Sequence, residues 1–574
     1  MARVPFKSPI RAQPTGAGKT GKCRLSDGTA LVSDHYYPPG DGPWPTLFMR
    51  QPYGRDIAST VVYAHPAWFA RHGYHVAIQD VRGRGASQGD FYPFRNEGCD
   101  GAESIAWLRG HAACNGKIGM YGFSYQGATQ LLAAAEQPEG LMCIAPHMTA
   151  ADLYHGWFYH QGALRLNSAL GWGIQMLRED ARRRGLREAS DRLEAAWANV
   201  RAQAQFAPYA SHAAIADPAL PQYLRDWVSH REPGDYWAGM DISTLCDRIM
   251  VPALHVAGWF DLYLEGSIAG YLAIRKRAGS GFARENQFLI AGPWVHIPWG
   301  DRAGEADLGE AANLNTDEVL LCWFNHWLKD SREFASEPRV RYFVLGPNEW
   351  RSVAEWPDGA DFALYLHSNG NANSRKGDGD LSRLAPETDE PCDVFVYDPE
   401  VPVMPPGGPQ ALSGVFDQAA LELGNNLLVY TSAPVGCETE VFGQPRIQLF
   451  AVTSAAYADF TAKLVRVKPN GRAEFLCIGI ARSSWLFRET GYSADAIHAW
   501  EFTLEPIAFV LAPGERLRLE IASSAFPLYD RNPSTAVSPQ LADTWTWERS
   551  TQRVLHSAAH ASALYLPLKG DPGW

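Results

Sequence analysis

Cysteine is scarce in this chain, and the few cysteines are scattered. The 574 residues include nine cysteines, an odd number, and no two of them form a C-x-x-C pair. Disulfide frameworks and structural zinc sites both depend on cysteines at regular short spacing, so we expect neither. This cysteine usage is typical of proteins in a reducing compartment, and a cytoplasmic location is therefore the expectation.

Long hydrophobic runs are absent as well. No stretch of about 18 or more apolar residues occurs, so nothing in the sequence is expected to span a membrane. The first seven residues (Met-Ala-Arg-Val-Pro-Phe-Lys) lack the apolar run of a signal peptide. The net charge is −12 without an acidic tail, which argues against nucleic acids and anionic membranes as partners. No sequence signal decides between a monomer and a homodimer.

The sequence pattern changes along the chain, and 574 residues are too many for one core. Over 1–150, short apolar runs alternate with helical patterns such as 58–71, which predicts a mostly parallel sheet with helices on both faces. Over 151–245 helical spacing predicts a cap above the carboxyl edge of that sheet, and the sheet pattern resumes over 246–335. Over 336–574, short alternating runs separated by turn residues predict an all-β jelly-roll domain. The predicted fold class is α/β, with a mostly parallel sheet domain, an inserted helical cap and a C-terminal jelly-roll β-sandwich.

Ser124 is the centre of the strongest motif. An apolar run over 118–123 predicts a buried strand that ends at this serine, and an Ala- and Leu-rich run predicts a helix after it. Gly122 and Gly127 leave room for a tight strand-to-helix turn. Such a turn lifts a hydroxyl above the sheet and directs the N–H groups of the new helix toward a forming oxyanion. We therefore interpret the chain as a serine hydrolase with Ser124 as its nucleophile.

Two other segments imitate functional motifs. The pattern G-x-S-x-G occurs literally at 85–89, around Ser87, whereas Gln126 stands where this pattern needs a glycine after Ser124. The segment after Ser87 (Gly-Asp-Phe-Tyr-Pro) cannot form a helix, so we interpret Ser87 as a loop serine. Residues 12–20 resemble a phosphate-binding loop, but no apolar strand precedes them and a hairpin follows.

A serine nucleophile needs a base, and the base needs a carboxylate that holds it. In α/β-hydrolases the three residues follow in the order Ser, Asp, His, each after a strand. The strand predicted over 250–257 leads to Asp261, and the strand predicted over 287–291 leads to His296. The alternatives are a loop carboxylate and a surface histidine without a catalytic role.

An oxyanion requires two hydrogen-bond donors. The backbone N–H of Tyr125 is the first candidate, because it directly follows Ser124. The hydroxyl of Tyr53 is the second, since this residue follows an early strand at the same sheet edge. From the residues alone, Tyr53 could equally be an ordinary buried tyrosine.

Five segments together resemble the cocaine esterase/NonD family of α/β-hydrolases, which includes X-prolyl dipeptidyl peptidases. The resemblance covers nearly the whole chain and implies Ser124, Asp261 and His296 as a catalytic triad, with Tyr53 and Tyr125 as the oxyanion hole. The family's G-x-S-Y-x-G form of the turn explains the missing glycine at 126. The segments are Gly122-Phe-Ser-Tyr-Gln-Gly127, Gln79-Asp-Val-Arg-Gly-Arg-Gly-Ala-Ser-Gln-Gly89, Arg50-Gln-Pro-Tyr53, Gly258-Trp-Phe-Asp261 and Gly292-Pro-Trp-Val-His296.

The resemblance also bears on the substrate. Amino-ester hydrolases of the family hold an ammonium group with two carboxylates, and the matching positions here are the uncharged Tyr263 and Leu264, with Glu265 one place further on. Trp157 and Trp172 resemble, in motif and spacing, tryptophans that enclose an aromatic acyl group in the family, and Tyr263 matches an aromatic residue there. The alternative is that both tryptophans belong to the core of the cap.

The expected reaction is hydrolysis of an ester or amide of a small molecule with a hydrophobic acyl group. It proceeds through an acyl-enzyme and implies neither a metal nor an organic cofactor. The alternatives are an X-prolyl dipeptidyl peptidase, a β-lactam side-chain acylase, a biosynthetic acyltransferase and a non-catalytic binding protein.

Overall fold

The computed structural model describes residues 18–57, 60–359, 361–409, 412–570 and 573–574. Its first part alternates strands and helices, as the apolar runs predict. The N-terminal hairpin turns at an Asp-Gly pair, and Arg24 faces Ala30 across it. The elements are β1 (Lys19–Arg24), β2 (Ala30–Tyr36), β3 (Trp44–Gln51), α1 (Pro66–Arg71), β4 (His75–Asp80), α2 (Glu97–Arg109), β5 (Cys114–Phe123), α3 (Tyr125–Ala135) and β6 (Leu141–His147).

The helix predicted over 58–71 is shorter than expected. It begins at Pro66, because His65 caps it by accepting a hydrogen bond from the Ala67 N–H, and proline is favoured at the first helical position. Residues 60–62 form a turn instead, while 58–59 lie outside the described residues.

A mainly helical segment follows β6. Trp227 and Leu224 of this segment are fully buried and belong to one hydrophobic core together with Ile118 and Leu131 of the sheet domain. A buried ion pair joins it to the sheet domain, because Arg84, in the loop after β4, contacts Asp180 at 3.1 Å. The elements are a π-helical turn (Tyr154–Phe158), β7 (Tyr159–His160), β8 (Ala163–Leu164), α4 (Leu166–Arg183), α5 (Arg187–Ala198), α6 (Val200–Gln203), a 3-10 turn (Tyr209–Ser211), α7 (Ala213–Ala216), α8 (Tyr223–Ser229), α9 (Asp235–Ala238) and a 3-10 helix (Ile242–Arg248).

The sheet then resumes and becomes ten-stranded. Its additional elements are β9 (Ala253–Phe260), α10 (Leu264–Arg277), α11 (Gly281–Glu285), β10 (Gln287–Val295), the short pair β11 (Arg302–Ala303) and β12 (Ala306–Asp307), a 3-10 turn (Glu310–Ala312), α12 (Thr316–Lys329), β13 (Val340–Val344) and β14 (Glu349–Val353). The strand order is β1-β2-β4-β3-β5-β6-β9-β10-β13-β14. The strands from β4 to β13 in this order are parallel, so the carboxyl ends of β3, β5, β9 and β10 lie at one edge.

The remaining chain is β-rich. It forms one twelve-stranded sheet and one three-stranded sheet, β24-β19-β29. The elements are β15 (Phe362–His367), β16 (Asp380–Ser382), β17 (Asp393–Tyr397), a 3-10 turn (Leu421–Leu423), β18 (Leu428–Ser432), β19 (Thr439–Gly443), β20 (Arg446–Thr453), β21 (Asp459–Val467), β22 (Ala473–Arg482), α13 (Ser483–Leu486), β23 (His498–Thr503), β24 (Ile507–Leu511), β25 (Arg516–Ala522), β26 (Ser550–Ser557), β27 (His560–Ala561), β28 (Ala563–Leu566) and β29 (Leu568–Lys569). The predicted fold class is confirmed.

A buried charge cluster connects the β-rich domain to the cap. The Asp530 carboxylate lies 3.0 Å from Arg482 of its own domain and 2.9 Å from Arg231 of the cap, and it accepts a hydrogen bond from Tyr209 at 2.7 Å. Asp530 is 2% exposed, so each of these contacts is shielded from water. Buried charges are retained only when they are paired in this way.

Among the described residues no helix combines the length and the apolarity needed to cross a bilayer.

Candidate active site

Ser124 lies at the turn between β5 and α3, as predicted. Its backbone has φ 60° and ψ −127°, a conformation that is strained for a residue with a side chain. Its N–H donates to the His147 carbonyl at 2.9 Å, which fixes the turn to the neighbouring strand. Gly127 is required by space, because a Cβ atom there would lie 2.7 Å from the Thr149 methyl group. The sequence thus builds a strained turn that presents a hydroxyl at the sheet edge.

Asp261 and His296 are brought together by adjacent parallel strands. Val295, the last residue of β10, is paired with Phe260, the last residue of β9, so the two following side chains emerge next to each other. The imidazole Nδ1 and the carboxylate Oδ1 are 2.8 Å apart. Asp261 is fully buried, whereas the His296 side chain is 22% exposed. A buried carboxylate at this distance orients the imidazole so that Nε2 is left for another partner.

The imidazole lies beside the Ser124 turn. Its centroid is 5.4 Å from the ring of Phe123, the residue before the serine, and 5.1 Å from the ring of Tyr263. The Tyr263 phenol is itself in polar contact with the Ser124 hydroxyl. The three residues predicted as a triad therefore lie at one edge of the sheet, around a shared set of neighbours.

Tyr53 and Tyr125 flank the serine. Tyr53 follows β3, and its hydroxyl is in polar contact with the Ser124 hydroxyl. Burial of the phenol raises the pKa of Tyr53 to about 12, so this group keeps its proton at neutral pH and can donate it in a hydrogen bond. Tyr125 is the first residue of α3, where backbone N–H groups have no acceptor within the helix. Both groups are thus placed as hydrogen-bond donors near Ser124.

A buried ion pair that the sequence did not reveal supports Tyr125. The Tyr125 hydroxyl donates to Glu97 of α2 at 2.7 Å, and Glu97 also contacts Arg50 of β3 at 2.8 Å. Arg50 donates to the Gln79 side chain at 3.0 Å and is fully buried. An arginine inside an apolar strand, just before Tyr53, was the available signal, because such a cation needs a buried partner.

Trp157, Trp172 and Tyr263 form one aromatic cluster. The rings of Trp157 and Tyr263 are 4.1 Å apart, and those of Trp157 and Trp172 are 5.8 Å apart. Trp172 is stacked on Trp227 at 5.1 Å, and Phe94 lies 5.0 Å from Trp157. Trp157 and Tyr263 are buried, while Trp172 is partly exposed. Since Tyr263 also contacts Ser124, the cluster is at once part of the cap core and a wall beside the nucleophile. Phe94 and Trp227 belong to it and were not predicted.

The carboxylate of Glu265 is already engaged. It lies 3.2 Å from the His160 imidazole and 3.5 Å from the Arg165 guanidinium, and it accepts a hydrogen bond from Gln444 at 3.2 Å. Arg165 is only 1% exposed, so its charge offsets that of Glu265 within the protein. The neighbouring Leu264 is buried and uncharged. Glu265 is therefore engaged within the protein, and Arg165 serves a second carboxylate as well, because it lies 3.8 Å from the buried Glu505.

The two segments whose sequences imitate functional motifs, 85–89 and 12–20, do not belong to this candidate site. The Ser87 hydroxyl donates to the Asp80 carbonyl at 2.7 Å and accepts from the Val32 N–H at 2.8 Å, so it holds a loop to the hairpin. Of the segment that resembles a phosphate-binding loop, 12–17 fall outside the described residues, and the rest enters β1 rather than a helix. A group of histidine, cysteine or acidic side chains able to hold a metal ion is absent from the part of the chain that the structure describes.

Two family models match the chain. The model for X-Pro dipeptidyl-peptidase (S15 family) matches 27–298, the range that includes all five candidate catalytic residues. The model for the X-Pro dipeptidyl-peptidase C-terminal non-catalytic domain matches 332–565.

Individual proteins match over almost the full length. The chain is 33% identical to the cocaine esterase of Rhodococcus sp. (strain MB1 Bresler) over 573 residues, which covers 95% of this chain and 97% of that protein. The structure resembles an aminopeptidase from a marine sediment archaeon (Thaumarchaeota) with a TM-score of 0.83 and 23% identity, over 99% of each chain. It resembles an α-amino acid ester hydrolase with a TM-score of 0.78 and 22% identity, over 99% of this chain and 100% of that one. The two structural likenesses concern the fold.

Proposed function

The chain belongs to the cocaine esterase/NonD family of serine hydrolases, and from this premise we propose that it hydrolyses esters of small molecules with a hydrophobic, aromatic acyl group. The 2.8 Å contact between His296 and Asp261, beside a serine in a strained turn, is the observation that carries the proposal. A triad needs this oriented imidazole next to an activated hydroxyl.

The reaction has two halves. His296 takes the proton of the Ser124 hydroxyl through Nε2, because Nδ1 faces Asp261, and the serine oxygen attacks the carbonyl carbon. The tetrahedral intermediate collapses, the alcohol leaves with the proton from His296, and an acyl-enzyme remains. Water then loses a proton to His296 and attacks the acyl carbon, which releases the acid and restores the serine hydroxyl.

The negative oxygen of each intermediate is stabilised by Tyr53 and Tyr125. The Tyr53 hydroxyl donates because its raised pKa keeps it protonated, and the Tyr125 backbone N–H donates from the start of α3. One donor of this kind lowers the barrier by about 3 kcal/mol. The proposal needs neither a metal nor an organic cofactor.

The acyl group is proposed from the cluster of Trp157, Trp172 and Tyr263. An aromatic wall favours an apolar, flat group through burial and ring contacts, which contribute about 0.5–1.5 kcal/mol for each ring pair beyond area burial. Because Glu265 is already engaged by Arg165 and His160, an ammonium group on the substrate would have to compete with these partners for it. The aromatic wall and the engaged Glu265 together favour a neutral acyl group over an amino-acid acyl group.

A panel of aryl and alkyl esters and anilides, read out by acid release, tests the proposal. We expect turnover to be highest for benzoyl and phenylacetyl esters of small alcohols. A fluorophosphonate should label Ser124, and the Ser124→Ala variant is the control. Absence of label on folded wild-type protein would contradict the proposal and favour a non-catalytic binding protein.

A second candidate is an X-prolyl dipeptidyl peptidase, because both family models carry that description. It predicts faster hydrolysis of a Gly-Pro anilide than of an aryl ester, and direct comparison of kcat/KM decides between the two. Adding alcohol acceptors to the ester assay and measuring the transesterified product tests the acyltransferase alternative in the same experiment.

A further inference from the structure

Gln126 occupies the position where the G-x-S-x-G pattern has a glycine, and its side chain folds back across the Ser124 turn. Its Oε1 accepts a hydrogen bond from the Phe123 N–H at 3.2 Å. Its Nε2 donates to Oε1 of Gln51 at 3.2 Å. The residue is 1% exposed, so both ends of the amide act inside the protein.

Gln51 connects Gln126 to the segment that contains Tyr53. It is the last residue of β3, and its Nε2 donates to the Gly54 carbonyl at 3.0 Å. The bond closes the loop formed by Pro52 and Tyr53, and Gln51 itself is fully buried. A continuous series of amide hydrogen bonds therefore runs from the residue before Ser124 to the residue after Tyr53.

Space for the glutamine is provided by Gly122. A Cβ atom on Gly122 would lie 2.5 Å from Cβ of Gln126 and 3.0 Å from its Oε1, and the backbone there has φ +138°. The Ser124 turn therefore needs glycine at 122 to accommodate the Gln126 side chain. Buried amides are costly when they lose a partner, so the arrangement is strongly determined.

We propose that Gln126 is a positioning residue, which acts through Gln51 to fix the Tyr53 hydroxyl relative to the Ser124 hydroxyl. The inference rests on the proposed function, because it assigns a purpose to the placement of Tyr53 only if Tyr53 stabilises the oxyanion. A displacement of such a donor by about 1 Å is enough to slow catalysis up to a hundredfold.

The Gln126→Met variant tests this, since methionine fills a similar volume without hydrogen bonds. We expect kcat for an acetyl aryl ester to fall about tenfold to thirtyfold, with KM changed less than about twofold, because only transition-state stabilisation is lost. In a Tyr53→Phe background the same substitution should change kcat less than about twofold, since the donor it positions is already gone.

Gln130 provides a matched control. It is also a fully buried glutamine of α3. Its side chain bonds the backbone carbonyls of Gly122 and Gln126 and the Ala145 N–H, but not Gln51. Gln130→Met should lower the melting temperature comparably, but its effect on kcat should be the same with Tyr53 and with Phe at 53. If Gln126→Met does not fold, Gln51→Met must reproduce the dependence on Tyr53, because it removes the same bond from the other side.

The outcomes distinguish failure of the positioning role of Gln126 from failure of the proposed function. An unchanged kcat in folded Gln126→Met, or equal losses in both backgrounds, overturns the positioning role while the proposed function stands. If Tyr53→Phe alone leaves kcat unchanged, the oxyanion role of Tyr53 is wrong and the positioning role falls with it. Loss of activity in Ser124→Ala measures the triad independently of both.

Discussion

On one side of Ser124, the groups that we propose face the reacting carbonyl are held by directional polar contacts: the amides of Gln51 and Gln126, and the Arg50–Glu97 ion pair under Tyr125. On the other side, Trp157 and Tyr263 contact each other through their rings, 4.1 Å apart. The first set fixes angles as well as distances, because hydrogen bonds weaken steeply when misaligned. The second set is held mainly by ring packing, and its polar contacts are those of Tyr263 with Ser124 and of Trp172 with the Tyr53 hydroxyl.

The difference between directional polar contacts and ring packing corresponds to two functions, oxyanion stabilisation and recognition of the acyl group. Stabilisation of an oxyanion requires donors within a few tenths of an ångström, whereas recognition of an apolar acyl group tolerates changes in shape at a moderate cost. We therefore expect substitutions on the polar side to lower kcat for every substrate, and substitutions on the aromatic side to change the preference among substrates.

The largest effect is expected for Ser124→Ala. Loss of the nucleophile should lower kcat on any accepted ester by about 10⁴-fold or more, as in other enzymes with this triad. The change removes one buried oxygen, and the melting temperature should stay within a few degrees of the wild type. Steady-state kinetics and thermal unfolding measure the two quantities; an active alanine variant would show that another residue is the nucleophile.

Tyr53→Phe comes next. Removing one oxyanion donor should lower kcat by about 10²-fold to 10³-fold, equally for acetyl and benzoyl esters, since the donor acts on the carbonyl oxygen that both share. The comparison between the two sides fails if the loss differs strongly between these esters, because Tyr53 would then act on the acyl group.

A smaller and selective effect is expected for Trp172→Leu. The ratio of kcat/KM for a benzoyl ester to that for an acetyl ester should fall about tenfold, as for the loss of one good aromatic contact. The acetyl ester is the internal control. Because Trp172 also contacts the Tyr53 hydroxyl, turnover of this ester should fall too, but by less than about threefold. An equal loss on both esters would place Trp172 among the groups that serve catalysis in general.

The last prediction concerns the free energy of unfolding. The effect is smallest at neutral pH and grows as the pH falls. Burial lowers the pKa of His35 and His255 to about 4 and that of His75 and His147 to about 3. Because unfolding lets these rings take up protons below about pH 6.5, each costs about 1–2 kcal/mol of stability by pH 5, and the loss continues until pH reaches the folded-state pKa.

Denaturant unfolding followed from pH 8 to pH 5 measures this loss. The His35→Phe variant, compared with wild type, should show a shallower decrease over the same interval. A stability that does not change between pH 6.5 and pH 5 would contradict the assignment of these rings as neutral in the folded state.

The sequence predicts the strands and the order of the reacting residues well, because buried parallel strands require apolar runs and their ends share one edge. The ends of β9 and β10 were predicted too early, at glycines. Gly258 lies inside β9 because its missing side chain lets the Trp294 carbonyl approach, where a Cβ atom would be 2.5 Å away. Glycine thus marks close contact here, and not a turn.

Contacts between distant segments could not be predicted. Gln51 and Gln126 are 75 residues apart, and no periodicity relates two amides that meet across a sheet edge. The same holds for Glu97, whose partners come from β3 and α3. A spacing pattern reports which face of an element is buried, but the identity of a polar partner depends on the assembled fold.

The Asp530 cluster makes the catalytic half dependent on the β-rich half. A gene shortened after residue 335 would encode a cap in which Arg231 and Tyr209 have lost a counter-ion and an acceptor at the centre of a former contact surface. Arg231 and Tyr209 are mostly buried around this carboxylate, so its loss would lower the stability of the smaller protein. A chimera that takes one half from a relative would therefore have to carry matching members of this charge cluster in order to fold stably.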